Sequence, residues 1–333
     1  MKPKLKPLNE QVIVITGAGS GIGAATARLA ASKGAKVVLA GRGEEPLAAV
    51  AHEIERDGGR ALVVTADVGV EQDHERILQQ AIATFGRVDT WVNNAGVSIF
   101  GKLDDVPVAD QRKLFDTNYW GVVYGSLVAL RHLRASGGGA IINLGSEVSD
   151  RAVPLQAAYS AAKHAVKGYT DALRMELQHD NAPISVTLIK PAAVATGFTR
   201  HARNYMDVQP ELPPPLYSPE MVAQAIVHAA VHPTRDLFVG GASSAISAIG
   251  RNMPGLADRM THWLHRRQRG TIPAGGGSDS LFEAGGEHPV SEMPRGRASV
   301  YTHMAMHSRA TTLVTGAALL VGGAAMWALR ARR

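Results

Sequence analysis

Along the first 249 residues, short runs of β-branched and aliphatic residues alternate with longer stretches in which apolar positions recur every three or four residues. The short runs are Val12 to Thr16, Lys36 to Ala40, Ala61 to Ala66, Thr90 to Asn93, Ala140 to Leu144, Ile184 to Ile189 and Leu237 to Gly240. Their near-continuous apolar character predicts strands covered on both faces. Between them, Ile22 to Lys33, Glu45 to Arg56, Glu71 to Phe85, Ala109 to Arg134, Ala157 to Gln178 and Pro219 to Ala230 carry the helical period. Ser218 stands as an N-cap before Pro219 at the first helical position. Strand and helix in alternation predict an α/β fold with one doubly wound, seven-stranded parallel sheet over residues 1–249.

Beyond residue 250 the pattern changes three times. Leu256, Met260, Trp263 and Leu264 share one helical face, with Arg259, His262, Arg266, Arg267 and Arg269 mostly elsewhere, so 250–269 reads as a basic amphipathic helix. Gly270 to Ala298 holds seven Gly and three Pro in 29 residues, which predicts a flexible linker over 270–309. Ala310 to Leu329 is then 20 residues without a charge, long enough at about 1.5 Å per residue to cross a bilayer. It is rich in Ala, Gly and Thr, so a docking or oligomerisation helix is the other reading.

Charge sharpens this division. The net charge is +6, yet residues 1–249 hold 24 basic and 24 acidic side chains, while the last 84 residues hold 11 Arg and 5 acids. A neutral body argues against nucleic acid as its partner and assigns the basic surface to the tail. The absence of Cys excludes disulfides, thiolate metal sites and Cys nucleophiles. His228 and His232 are four apart but lack a third ligand, so no metal is expected. The apolar stretch near the N-terminus, Val12 to Ile15, is too short for an export signal.

The chemistry starts at Thr16-Gly17-Ala18-Gly19-Ser20-Gly21-Ile22-Gly23, which leaves a predicted strand and opens a predicted helix. Glycines there let backbone N–H groups approach a pyrophosphate, and the helix N-terminus adds positive potential. The spacing of Gly17, Gly21 and Gly23 is G-x-x-x-G-x-G. At the end of the second strand Arg42, rather than an acid, stands where the adenosine ribose is read, which favours a 2′-phosphate and hence NADP over NAD. Tyr159 and Lys163, four apart, share a helix face, and a nearby ammonium is expected to lower the phenol's pKa.

Thr16 to Gly23, Asn93-Asn94-Ala95-Gly96, Ser146 and Tyr159-Ser160-Ala161-Ala162-Lys163, in that order, resemble the short-chain dehydrogenase/reductase family over residues 8 to 245. The resemblance implies a Rossmann-type fold and hydride transfer between a nicotinamide and a ketone or aldehyde, or the corresponding alcohol. It implies Tyr159 as general acid/base, Lys163 as its partner on the nicotinamide ribose, Ser146 on the substrate carbonyl and Asn118 in a proton relay through water. The implied cofactor contacts are Gly17, Ser20, Gly21, Ile22, Gly23, Arg42, Asp67, Val68, Asn94, Ala95 and Gly96, with Pro191, Val194 and Thr196 near the carboxamide. Ala192 stands where the family has Gly. A homo-oligomer is implied by resemblance alone.

Gly197 to Tyr217 occupies the family's substrate-lid position. Its Phe198, Tyr205, Met206, Leu212, Leu216 and Tyr217 suit an apolar, lipophilic substrate, or simply pack the loop onto the body. With the tail, the expectation is an enzyme on the cytoplasmic face of a membrane, C-terminally anchored, or cytoplasmic if the tail does not insert. The rival is a non-catalytic NADP-binding redox sensor at a membrane, against which the intact Ser146, Tyr159 and Lys163 speak.

Overall fold

The computed structural model of the chain describes residues 3–252, 254–259, 261–274, 279–284 and 296–306. The seven predicted strands form: β1 (Val12–Thr16), β2 (Lys36–Gly41), β3 (Arg60–Thr65), β4 (Thr90–Asn93), β5 (Gly139–Leu144), β6 (Ile184–Pro191) and β7 (Asp236–Val239). They pair in parallel as one sheet in the order β7-β6-β5-β4-β1-β2-β3. The chain runs outward from β1 to β3, then crosses back to place β4 on the other side of β1. Crossovers diverge at that reversal, so a crevice opens at the carboxyl ends of β1 and β4.

Side-chain alternation explains both covering layers. Ile13, Ile15, Val37, Leu39 and Ile142 face α1 (Gly21–Ser32), α2 (Glu44–Arg56) and α7 (Pro219–Val231). Val12, Val14, Val38, Trp91 and Ile141 face α3 (Glu71–Phe85), α5 (Gly121–Ala135) and α6 (Ala157–His179). Every residue of β1 is buried, at about 1.5–3 kcal/mol for a fully buried aliphatic side chain. On α1 the buried positions are small, Ala24, Ala27, Ala30 and Ala31, so the helix that carries the glycine turn lies close to the sheet.

The predicted helix from Ala109 to Arg134 is interrupted. α4 (Val108–Phe115) passes into a π turn, Asp116–Trp120, before α5 begins. The turn carries Asn118, whose side chain is bound to another loop. A widened turn of this kind re-aims one side chain without ending the helix.

The C-terminal expectations need correction. The described residues of 250–268 are helical, in α8 (Gly241–Asn252), α9 (Pro254–Arg259) and α10 (Thr261–Gln268), and the predicted helix stops one residue early, because Arg269 already belongs to a strand. Trp263 is about half exposed, with Arg267 lying 5.8 Å from its ring centroid. The predicted linker is partly ordered onto the body. Arg269–Pro273 pairs antiparallel with Val208–Pro210, Leu281 is fully buried, and Arg297 pairs with Tyr217. α11 (Val300–Met306) packs beside β7, where the buried Thr302 hydroxyl accepts the Gly240 N–H at 2.8 Å. Composition predicted otherwise because a Gly- and Pro-rich segment cannot bury enough against itself; here isolated side chains use a core that already exists. The predicted apolar helix at 310–329 lies outside the described residues. Among the described residues no helix is long and apolar enough to cross a membrane.

Candidate active site

The glycine turn leaves β1 at the crevice. Gly17 has φ +66 and Gly21 φ +50, left-handed values that L side chains resist. Gly23 is required for another reason: a Cβ there would stand 2.1 Å from the Gly17 carbonyl oxygen. Ser20 is the N-cap of α1 but its side chain makes no capping hydrogen bond, so the first-turn amides are not closed off by it. This cradle fits a pyrophosphate: open backbone donors at a helix N-terminus, in a turn that tolerates no side chain at Gly23.

Asn94 ties the turn to β4. Its Nδ2 donates to the Thr16 carbonyl at 2.8 Å and the Gly17 carbonyl at 3.2 Å, while the Asn94 and Ala95 amides donate to the Thr16 hydroxyl at 3.0 and 3.1 Å. The Asn94 side chain therefore shapes the cradle from behind. Gly96 is exposed and flanked by Asn118 and Lys163. Asp67, predicted as an adenine contact, accepts the Gly69 N–H at 2.8 Å and faces Lys113 at 3.4 Å. Val68 beside it is buried and packs where a Cβ on Gly121 would sit.

Tyr159 and Lys163 share a face of α6, as their spacing predicts. Ser146 caps a short 3₁₀ turn, Glu147–Ser149, just after β5, with its hydroxyl accepting the Val148 N–H at 3.3 Å. The Lys163 ammonium donates to the Leu144 carbonyl at 2.7 Å, tying α6 to the end of β5 two residues before Ser146. Among the protein's own groups, the ammonium is not the dominant influence on the phenol; burial is. Burial pushes Tyr159 up to about 12, with a hydrogen bond from Ser146 pulling it back and the Glu147 charge pushing it further. Burial likewise pushes Lys163 down to about 8. The ammonium lies 5.8 Å from the Tyr159 ring centroid and spends its strong contact on Leu144. Desolvation thus outweighs helix-face proximity.

Asn118 is fully buried, and both ends of its amide are engaged: Oδ1 accepts the Val97 N–H at 2.8 Å and Nδ2 donates to the Val97 carbonyl at 2.9 Å. It clamps the loop after Gly96 rather than bonding a nearby carbonyl of its own helix.

Pro191 ends β6, and the Ala192 amide donates to the Val239 carbonyl at 2.9 Å. Ala192 is not among the residues with positive φ, so its methyl group in place of hydrogen carries no backbone strain. Val194 is buried and bridges Tyr217. Thr196 reaches across the crevice, its Cγ2 lying 3.2 Å from the position of a Cβ on Gly21. In the lid, the Phe198 ring stands edge-on to Tyr159 with centroids 5.4 Å apart, and Tyr205 donates to Asp110 at 2.5 Å. Met206 packs with Phe100, Leu155 and Ala202.

Arg42 lies at the mouth of the crevice, but its guanidinium already donates to the Ser280 and Leu281 carbonyls, the latter at 3.4 Å.

Beyond the Asn93 to Gly96 motif itself, three side-chain arrangements escaped the sequence reading. Asn93 donates to Asn143 at 2.8 Å and Ser126 at 3.1 Å, and Asn143 donates to Thr170 at 3.0 Å, a buried network joining β4, β5, α5 and α6. Lys190 pairs with Asp150 at 3.0 Å, both side chains 3% exposed, bracing the turn that carries Ser146. Glu147, whose Oε2 is buried without a hydrogen-bond partner among the described residues, is pushed up by burial to about 7. The adjacent Asn93-Asn94 pair hinted at the first; the other two join residues with no shared motif.

Residues 11–207 match the family model for short chain dehydrogenase. An uncharacterized oxidoreductase of Bacillus subtilis, YxnA, is 49% identical over 288 residues, covering 85% of this chain and 81% of its own length. The Mycobacterium tuberculosis oxidoreductase SadH is 35% identical over 264 residues, 75% of this chain and 93% of its own. Among solved structures, a short chain dehydrogenase/reductase from Burkholderia phymatum in complex with NAD is 26% identical, covers 76% of this chain and 97% of that one, and has a TM-score of 0.70. A metagenomic short-chain oxidoreductase in complex with NADP is 29% identical, covers 70% and 98%, and has a TM-score of 0.59. These structures are used up within this chain and leave the rest of it unmatched. A span of 85%, by contrast, reaches past residue 280 wherever it begins.

Proposed function

From the premise that this chain belongs to the short-chain dehydrogenase family, we propose that it is an NADP-preferring oxidoreductase whose catalytic residues are Tyr159, Lys163 and Ser146. Residues Gly17 to Gly23 would hold a dinucleotide by its pyrophosphate, and that cofactor would supply the hydride for a carbonyl carbon in its reduced form or accept it from an alcohol in its oxidised form. The residues of the chain manage the oxygen and the proton. Ser146 and Tyr159 hold the carbonyl oxygen between two hydroxyls, and the phenol O–H gives that oxygen its proton. The phenol is protonated at neutral pH, as a donor in the reductive direction must be, although burial makes it a weaker acid than an exposed tyrosine.

One observation carries this reading: the Lys163 ammonium, bound to the Leu144 carbonyl, locks the helix bearing Tyr159 to the strand end bearing Ser146, directly across Gly96 from the glycine cradle. Lys163 is there a positioning group as well as a ribose ligand. Asn118 acts one step removed, by holding Val97 and hence the wall after Gly96.

The preference for NADP rests on Arg42, with no acid beside it at the end of β2. A lipophilic carbonyl or alcohol is favoured by the edge-on Phe198 ring beside Tyr159 and by an apolar hollow lined by Ile99, Leu103, Val106, Leu155 and Ala158. The uncharged stretch at 310–329 supports tethering to a membrane in which such substrates dissolve. Assembly as a homo-oligomer is carried over from the family.

The test is Tyr159→Phe, which keeps the ring and removes the proton. NADPH oxidation over a panel of lipophilic and small carbonyls should fall about 10²- to 10⁴-fold, with NADPH affinity by calorimetry nearly unchanged. Turnover within a factor of a few of wild type would refute the role of Tyr159.

A further inference from the structure

We propose that the segment Asp279 to Ala284 is a strap that occupies the 2′-phosphate subsite on Arg42, so that a 2′-phosphorylated dinucleotide displaces it and in doing so frees the substrate lid. The proposal rests on the assignment of Arg42 to the dinucleotide ribose.

The strap is anchored at two places that are distant in sequence. At one end, Asp279 pairs with Arg203 at 2.8 Å, the Ser280 N–H donates to the His201 carbonyl at 2.8 Å, and Arg203 lies 5.3 Å from the Phe282 ring centroid. His201 and Arg203 both belong to the lid. At the other end, the carbonyls of Ser280 and Leu281 accept from Arg42, and Ala284 packs against Gly43. Between these ends Leu281 is fully buried in the apolar cluster of Val97, Ile99 and Leu114, against which Tyr159 and Tyr205 also pack. The strap thus joins the lid to the end of β2 across the crevice.

Neutral carbonyls are the weaker partners for a guanidinium. Charge-assisted bonds to phosphate are roughly twice as strong and bidentate, so a phosphate dianion wins the same donors. It also repels the two carbonyl dipoles aimed at that place. NAD carries a hydroxyl there and has no such leverage. Once the Arg42 contacts are lost, Leu281, Ala284 and the lid contacts are what hold the strap among the described residues, and its opening relieves His201 and Arg203. The match to the Bacillus relative is long enough to reach this segment.

Amide hydrogen exchange of the full chain tests this with NADP⁺ and NAD⁺ as probes, each at saturation. NADP⁺ should speed exchange in peptides covering 279–284 severalfold and also loosen 199–205, while NAD⁺ leaves 279–284 as in the free protein. Slower exchange at 279–284 with NADP⁺, as for a lid closing over the nucleotide, would overturn the proposal, as would the same exchange with both probes. Protection at Gly17 to Gly23 reports binding itself: its absence with both dinucleotides would sink the cofactor reading and the strap with it. A second readout is Asp279→Asn, which unpairs Arg203 from the strap without changing its shape. By calorimetry NADP⁺ should bind roughly threefold tighter in that variant, since more of the chain is binding-competent, and NAD⁺ unchanged. Unaltered NADP⁺ affinity would count against displacement.

Discussion

The body and the C-terminal extension hold their polar groups by different means. In the body, buried polar side chains bond one another in closed sets: Asn93 with Asn143, Ser126 and Thr170, and Lys190 with Asp150 and the face of Phe238 at 3.9 Å. In the segments 279–284 and 300–306 of the extension, single groups are lent to the body: Thr302 to Gly240, Asp279 to Arg203, the carbonyls of Ser280 and Leu281 to Arg42. Closed networks are all-or-none, because opening one bond leaves others unsatisfied in a low dielectric. Isolated anchors let go singly, which is what a segment that exchanges with a ligand requires.

That contrast can be broken by mutation, and the largest effect belongs to the body. Lys190→Ala leaves Asp150 buried with a weaker set of partners and should lower global stability by about 3–5 kcal/mol, read from the urea midpoint. A loss under 1 kcal/mol would mean that the pair is dispensable and the distinction false. Next comes Glu147→Gln. Burial raises the folded-state pKa of Glu147 from 4.5 to about 7, so its favourable contribution is complete below about pH 4.5 and is lost as pH rises through 7. The uncharged variant should match wild type at pH 5 and exceed it at pH 8 by on the order of 1–3 kcal/mol. Equal midpoints at pH 8 would show that Glu147 ionises without cost. Smallest is Thr302→Val, which removes the partner of the Gly240 amide. It should cost about 1 kcal/mol, seen as faster exchange of that amide with the global midpoint nearly unmoved. A shift of the global midpoint as large as that of Lys190→Ala would place the extension inside the cooperative core.

The strand runs and the glycine turn were legible because each depends on its own residues: short continuous apolar runs for strands buried on both faces, and glycines for a turn that tolerates no side chain at Gly23. Ser146, Tyr159 and Lys163 were legible as a set, since the face of α6 follows from spacing. Asn118 was located, but the partners of its side chain were not. Sequence places it within a helix, whereas the π turn that aims it at Val97 arises from packing between two loops 21 residues apart. The described parts of 270–309 were misread for the complementary reason: the composition is that of a chain unable to bury enough against itself, and these residues lie on a core that already exists.

Local pattern determined the seven strands, their alternation with helices and the glycine turn, because periodicity and glycine stereochemistry act within a few residues, whereas the strand order and its crevice came from tertiary pairing. Tertiary structure decided the proton affinities of Tyr159, Lys163 and Glu147, and the partners that hold Arg42 and Leu281. Those properties are set by the loss of water and by neighbours up to 239 residues away, which no window on the sequence contains.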